Sequence, residues 1–127
     1  MNRPTFIFKK YGRNNKLDLN IGRYGNGELA IYANDYSEGY PQKYANITVN
    51  LDLDELNDAF TAFIDVENLG EEIIDVLIAN NLGELTGRCC EAGFVTFPEF
   101  KFNKETLEKY DPEGFYEYEA YAEALRL

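Results

Sequence analysis

The sequence predicts a single α+β domain over 1–127, a mainly antiparallel sheet from the N-terminal half packed with about two helices from the C-terminal half. Three observations carry this. A length of 127 residues suits one domain. Apolar side chains alternate with a period of two through residues 5–51, while helical periodicity and capping signals begin only after residue 66. Strands therefore precede helices, without the βαβα alternation that builds a parallel sheet. At 45% hydrophobic and 15% aromatic residues the chain is too apolar for a disordered acidic tail.

The elements follow in order. Thr5–Tyr11 reads as a strand, with Phe6 and Phe8 on one face and Ile7 on the other. Gly12-Arg13-Asn14-Asn15 reads as a turn. Leu17, Leu19 and Ile21 alternate with polar residues, the pattern of a half-buried strand. Tyr24-Gly25-Asn26-Gly27 contains Asn-Gly, the strongest short hairpin signal, and Leu29-Ala30-Ile31-Tyr32 returns. Asn34–Gln42 is a polar loop with Gly39 and Pro41. Tyr44–Leu51 alternates again through Ile47, Val49 and Leu51, and Asp52–Asp58 is acidic and helix-compatible. Ala59–Val66 is ambiguous, with Phe63-Ile64-Asp65-Val66 fitting a short strand. Asn68-Leu69-Gly70-Glu71 has the form of a capping box. The helix it opens places Leu69, Ile73, Ile74, Leu77 and Ile78 on one face, and Gly83 stands where a C-cap belongs. Phe94-Val95-Thr96-Phe97 is a strand, and Pro98 argues against a central sheet position beyond it. Asp111-Pro112 caps a last helix with Pro at its first position and a stripe of Phe115, Tyr118, Ala122 and Leu125.

Composition removes several chemistries. The chain has no His, the commonest general base and metal ligand, and Ser37 is its only serine. A Ser-His-Asp or Cys-His site cannot be built within it. The two cysteines, Cys89 and Cys90, are adjacent, which rarely suits disulfide geometry, so they read as free thiols. With no apolar run of membrane-spanning length and too short an apolar core for a signal peptide, the expectation is a cytoplasmic protein.

Charge is placed unevenly. The chain holds 12 basic and 23 acidic residues, a net charge of −11. Residues 1–23 carry +5 through Arg3, Lys9, Lys10, Arg13, Lys16 and Arg23 against Asp18, which leaves −16 on the rest. An acidic body argues against direct nucleic-acid binding and against anionic membranes. The basic segment fits an internal ion-pair seam; equally, the molecule is dipolar and offers one strongly negative face to a basic partner.

Residues 24–102 resemble a family of short bacterial proteins known only as a domain of unknown function, found in Gram-positive bacteria and their mobile elements. The likeness rests on Gly27-Glu28-Leu29-Ala30-Ile31, Ile47-Thr48-Val49-Asn50-Leu51, Asn80-Asn81-Leu82, Thr86-Gly87-Arg88 and Gly93-Phe94-Val95-Thr96-Phe97-Pro98. It implies a compact α+β domain and no particular activity. Gly22-Arg23-Tyr24-Gly25-Asn26-Gly27-Glu28-Leu29 is similar to the opening hairpin of ArdA antirestriction proteins. Tyr116-Glu117-Tyr118-Glu119-Ala120-Tyr121, followed by Leu125, is similar to a segment near their C-terminus. That family mimics DNA with carboxylates; here the chain is shorter and the middle does not match.

Candidate sites follow from the acids and tyrosines. Asp52, Asp54, Glu55 and Asp58 lack the Gly and Glu that an EF-hand loop needs, since Asn57 and Phe63 hold those places. No metal, no cofactor and no catalytic residue is expected. On the middle helix Glu71, Glu72 and Asp75 lie opposite the apolar stripe, with Glu67 just before it. On the last helix Glu113, Glu117, Glu119 and Glu123 do the same, with Tyr116 and Tyr121 beside them. A row of carboxylates imitates the spacing of backbone phosphates, and exposed tyrosines anchor interfaces. The expected function is therefore that of a non-enzymatic acidic binding protein. Its expected partner is a basic nucleic-acid-binding protein, a restriction enzyme or Cas-type effector. An accessory interaction module, homodimeric through its tyrosines, is the alternative.

Overall fold

A computed structural model describes residues 3–51 and 59–125. Strands β1 (Phe6–Lys10), β2 (Arg13–Arg23), β3 (Leu29–Asp35) and β4 (Gln42–Asn46) form one antiparallel sheet in that order. Strands β5 (Thr48–Val49), β6 (Thr61–Ile64), β7 (Gly83–Ala92) and β8 (Val95–Phe102) form a second antiparallel sheet, ordered β5-β6-β8-β7. Helices α1 (Val66–Leu69) and α2 (Glu72–Ala79) join β6 to β7, and α3 (Lys104–Tyr110) and α4 (Pro112–Leu125) follow β8. The α+β class and the antiparallel pairing are as the sequence predicts.

The first sheet obeys its alternation. Phe6, Phe8, Leu17, Leu19, Ile21, Ile31 and Ala33 all point into the core, because register pairs Phe6 with Leu17, Leu19 with Ala33 and Ile21 with Ile31. The β1–β2 turn is tighter than expected. Only Tyr11 and Gly12 lie between the strands, both at positive φ (53° and 74°), and Arg13–Asn15 already belong to β2. The run Tyr44–Leu51 is not one strand. It breaks at the fully buried Ile47, whose N–H donates to the Ile31 carbonyl of the first sheet (2.8 Å) and whose carbonyl accepts from Asp65 N–H beside the second (2.9 Å). Ala62, Ile64, Phe100 and Phe102 from the second sheet, with Ile73, Leu77, Leu107, Phe115 and Tyr118 from the helices, complete one apolar core.

Several local expectations are corrected. Asn68 lies inside α1 rather than capping a helix: Asp65 is the cap, and its carboxylate accepts from Asn68 N–H (3.2 Å) and Asn68 Nδ2 (2.8 Å). Helix α2 ends without Gly83. Asn81 adopts the left-handed conformation (φ 61°), and Asn81 N–H and Leu82 N–H return to the carbonyls of Ile78 and Leu77, a Schellman closure. Gly83 instead opens β7 at φ 151°, where a Cβ would collide with the Lys101 carbonyl oxygen.

Strand β8 runs through Pro98, and its Glu99–Lys101 stretch is central, flanked by β6 and β7. Counting back from the two-residue turn at Gly93-Phe94, Pro98 faces Cys89 in a non-hydrogen-bonded pair, so its missing donor is directed toward β6. The β6–β8 register ends at Phe63–Glu99, one residue short of Pro98, so no ladder bond is lost. Strand β7 and helix α3, which the periodicity does not single out, complete the second half. Asp111 caps α4 as predicted, accepting from Gly114 N–H (3.1 Å), with Pro112 first in the helix. Phe115 and Tyr118 are buried and Ala122 is half-buried; the Leu125 side chain and the acidic segment 52–58 lie outside the described residues.

Candidate functional site

The α1–α2 corner gathers the first group of predicted carboxylates. Glu67, Glu71, Glu72 and Asp75 all fall in or just before the first turn of a helix, where the helix dipole favours negative charge. Glu67, Glu71 and Asp75 are exposed. Glu72 is not available in the same way. Its Oε1 accepts from Lys10 Nζ at 2.6 Å, and the same ammonium donates to the Leu69 carbonyl at 3.0 Å. The bond holds the Glu72 carboxyl below its ordinary range and the Lys10 ammonium above its own.

The second group does not form one row. Helix α4 is anchored by Phe115 and Tyr118, so the carboxylates fall on two flanks as well as on the outer face. Glu113 and Glu117 are exposed, and Glu117 borders a hollow of about 180 Å³ with Ile21, Arg23 and Tyr121. Glu119 and Glu123 border another, of about 210 Å³, with Phe60 and Lys104 on its far side. Glu119 is half-buried and paired with Lys104 at 2.9 Å, so the expectation that it stands opposite the apolar stripe is corrected. Tyr121 lies under the Arg23 guanidinium, 3.7 Å from its ring centroid, an Arg stacking geometry that occupies the ring. Tyr116 is exposed, but its hydroxyl donates to the Glu108 carboxylate on α3, which pushes the phenol above its ordinary range.

Seven of the ten predicted residues are exposed carboxylates, and six of these stand apart from the Lys10-paired Glu72: Glu67, Glu71, Asp75, Glu113, Glu117 and Glu123. Among the described residues none of the six makes an ion pair. They belong to two regions. Helix α2 packs on β1 and β7, whereas α4 packs on β2 and α3.

Sequence reasoning missed a polar cluster on the outward side of β2. Asp18, fully buried, is ion-paired with Arg3 (3.3 Å) and accepts from Asn34 Nδ2 (3.1 Å). Arg3 also donates to the carbonyls of Leu19 (2.5 Å) and Tyr110 (2.8 and 3.0 Å), while Asp111 accepts from Ile21 N–H (2.9 Å). These contacts cover the edge of β2 beyond the end of β1, where ladder groups are otherwise open. An acid on the polar side of a strand, between Leu17 and Leu19 and two residues before Asn20, was the signal.

Three hollows among the described residues measure 180 to 320 Å³, at or below the lower end of small-molecule sites. Among the described residues no cluster of three or more acids and thiols is placed to hold a metal ion. Cys89 and Cys90 are free thiols, the first exposed. No helix among the described residues is long and apolar enough to cross a membrane.

No curated protein matches the chain, and no solved structure matches it. A family model does. In keeping with the likeness read from residues 24–102, residues 16–122, from β2 into α4, match the domain of unknown function DUF4313, and the chain belongs to that family.

Proposed function

We propose that this protein acts by binding rather than by catalysis, and that its exposed carboxylates occupy a basic, nucleic-acid-binding surface of its target. An anti-defence inhibitor, of the anti-CRISPR or antirestriction type, is the role that fits. The observation that carries the proposal is the set of exposed acids that no cation answers among the described residues. Arg3, Lys10, Arg23 and Lys104 are engaged internally with Asp18, Glu72, Tyr121 and Glu119. Glu67, Glu71, Asp75, Glu113, Glu117 and Glu123 face solvent without a cation among the described residues. Carboxylates held this way repel one another mildly in the free protein and regain favourable energy against a basic partner.

The test is a pull-down from host lysate, washed at low and high salt, followed by competition with duplex DNA. A basic nuclease or effector released by salt and displaced by DNA is expected. Replacing Glu113, Glu117 and Glu123 by Gln, or Glu67 and Glu71 by Gln with Asp75 by Asn, should weaken the complex and flatten its salt dependence. Unchanged affinity and unchanged salt dependence in both triple variants would overturn the proposal.

A further inference from the structure

Among the described residues β7 is the longest of the four edge strands, and β1, at five residues, carries Lys9 and Lys10. Beyond β1 the edge of β2 is covered by Arg3 and Asp111; β4 has five residues and carries Lys43; β5 has two. Strand β7 has ten residues, and Glu84, Leu85, Gly87, Arg88, Cys89 and Glu91 are all exposed. Among the described residues its distal part, from Cys89 to the turn, pairs with β8 alone.

We propose that two copies of this chain join through this edge, antiparallel about a two-fold axis at Cys90. The backbone sets the register. Ala92 and Cys90 direct their N–H and C=O groups to β8, because the pair flanking a two-residue turn is hydrogen-bonded and pairs then alternate. Cys89 and Glu91 therefore direct theirs to the free edge. Pairing Cys89 with Glu91 of the second copy, and the reverse, uses both outward residues of each chain and puts Cys90 opposite Cys90. An axis at Glu91 sets two carboxylates against each other. An axis at Cys89 places Glu91 against Gly87, within the stretch where the β7 register shifts. Charge and hydrogen bonding thus select one alignment.

A second observation agrees with it. Phe94, fully exposed at the hairpin tip, and Leu85, 46% exposed, are the apolar side chains this hairpin leaves in water. Phe94 is four residues after Cys90 and Leu85 five before it. The two-fold axis brings each Phe94 to the end of β7 that carries Leu85 in the other copy. The proposal stands apart from the carboxylate reading, and salt separates the two. Two chains of −11 repel, so salt strengthens this dimer, whereas it weakens binding to a basic partner.

Size-exclusion chromatography with light scattering, in reducing buffer at low and high salt, is the experiment. A mass of two chains, favoured by salt, is expected. Diamide, which takes two electrons and two protons from a thiol pair, should link two chains in the wild type and in Cys89→Ser but not in Cys90→Ser. Glu91→Pro removes an outward N–H without touching the β8 ladder and should return the mass to one chain with the circular dichroism of the wild type. Should that variant unfold, Cys90→Arg tests the same axis by setting two guanidinium groups face to face. A single-chain mass at every salt concentration, or cross-linking that follows Cys89 instead of Cys90, overturns the proposal.

Discussion

Replacing Arg3 by Met removes one clasp and exposes how much it holds. Its guanidinium makes three hydrogen bonds to two main-chain carbonyls, Leu19 and Tyr110, and an ion pair to Asp18. Without it the two carbonyls can turn to water at the edge of the molecule. Asp18 cannot, since its side chain is fully buried and is left with the Asn34 amide and the Tyr36 hydroxyl. Removing one partner of a buried pair costs about 3–5 kcal/mol. The Arg3 side chain is 36% exposed, so the pair is partly screened, and the figure falls to roughly 2–3 kcal/mol. For a domain of this size that corresponds to a melting temperature lower by roughly 10 °C. Urea titration should show a lower midpoint with an unchanged slope. Asp18→Asn removes the stranded charge, so the Arg3→Met, Asp18→Asn double variant should be more stable than the sum of the single losses by about 1 kcal/mol or more. An Arg3→Met loss under about 0.5 kcal/mol, or strict additivity, would refute the reasoning.

Gly83→Ala forces a Cβ against the Lys101 carbonyl and should cost roughly 2–4 kcal/mol by thermal melting; a loss under about 1 kcal/mol would mean β7 and β8 stand farther apart. The Lys10–Glu72 bond sets a pH signature. The Glu72 carboxyl is lowered from 4.5, so its contribution is complete above that value and is lost as pH falls through the folded value; that of Lys10, raised from 10.5, is complete below 10.5 and lost above it. The stability gap between wild type and Glu72→Gln should be present at neutral pH and close in acid, and a gap independent of pH would contradict the pair. Burial raises the phenols of Tyr24, Tyr36, Tyr44 and Tyr110, and the Glu108 carboxylate raises Tyr116. Phenolate absorbance from these five should therefore rise above the ordinary phenol value, and a single midpoint at that value for all ten tyrosines would count against the packing.

The parts of the fold that were readable in the sequence are those fixed by near neighbours. Leu17, Leu19 and Ile21 alternate because one side of β2 is core, and Asp111-Pro112 announces α4 by its own hydrogen bond and ring. Strand β7 carried no such mark. Both of its faces are largely solvated, and what makes it a strand is the ladder to β8. Helix α3 is seven residues long, with only the Asn103 cap to declare it. For the candidate site, exposure followed from periodicity but pairing did not. Lys10 is 62 residues from Glu72, and Arg23 reaches Tyr121 only because α4 lies along the end of β2. Charge counts describe the acids of this chain; the tertiary fold decides which of them are already answered.

Ile47 has a consequence for how the protein comes apart. One peptide unit on each side of a single buried residue belongs to a different sheet, so neither sheet can be released while the other stays closed. The two halves should exchange their amide hydrogens only through the global transition, with Ile47 among the slowest. A chain cut near this residue gives two fragments that each lack a wall of the common core, and they should recover structure only when mixed.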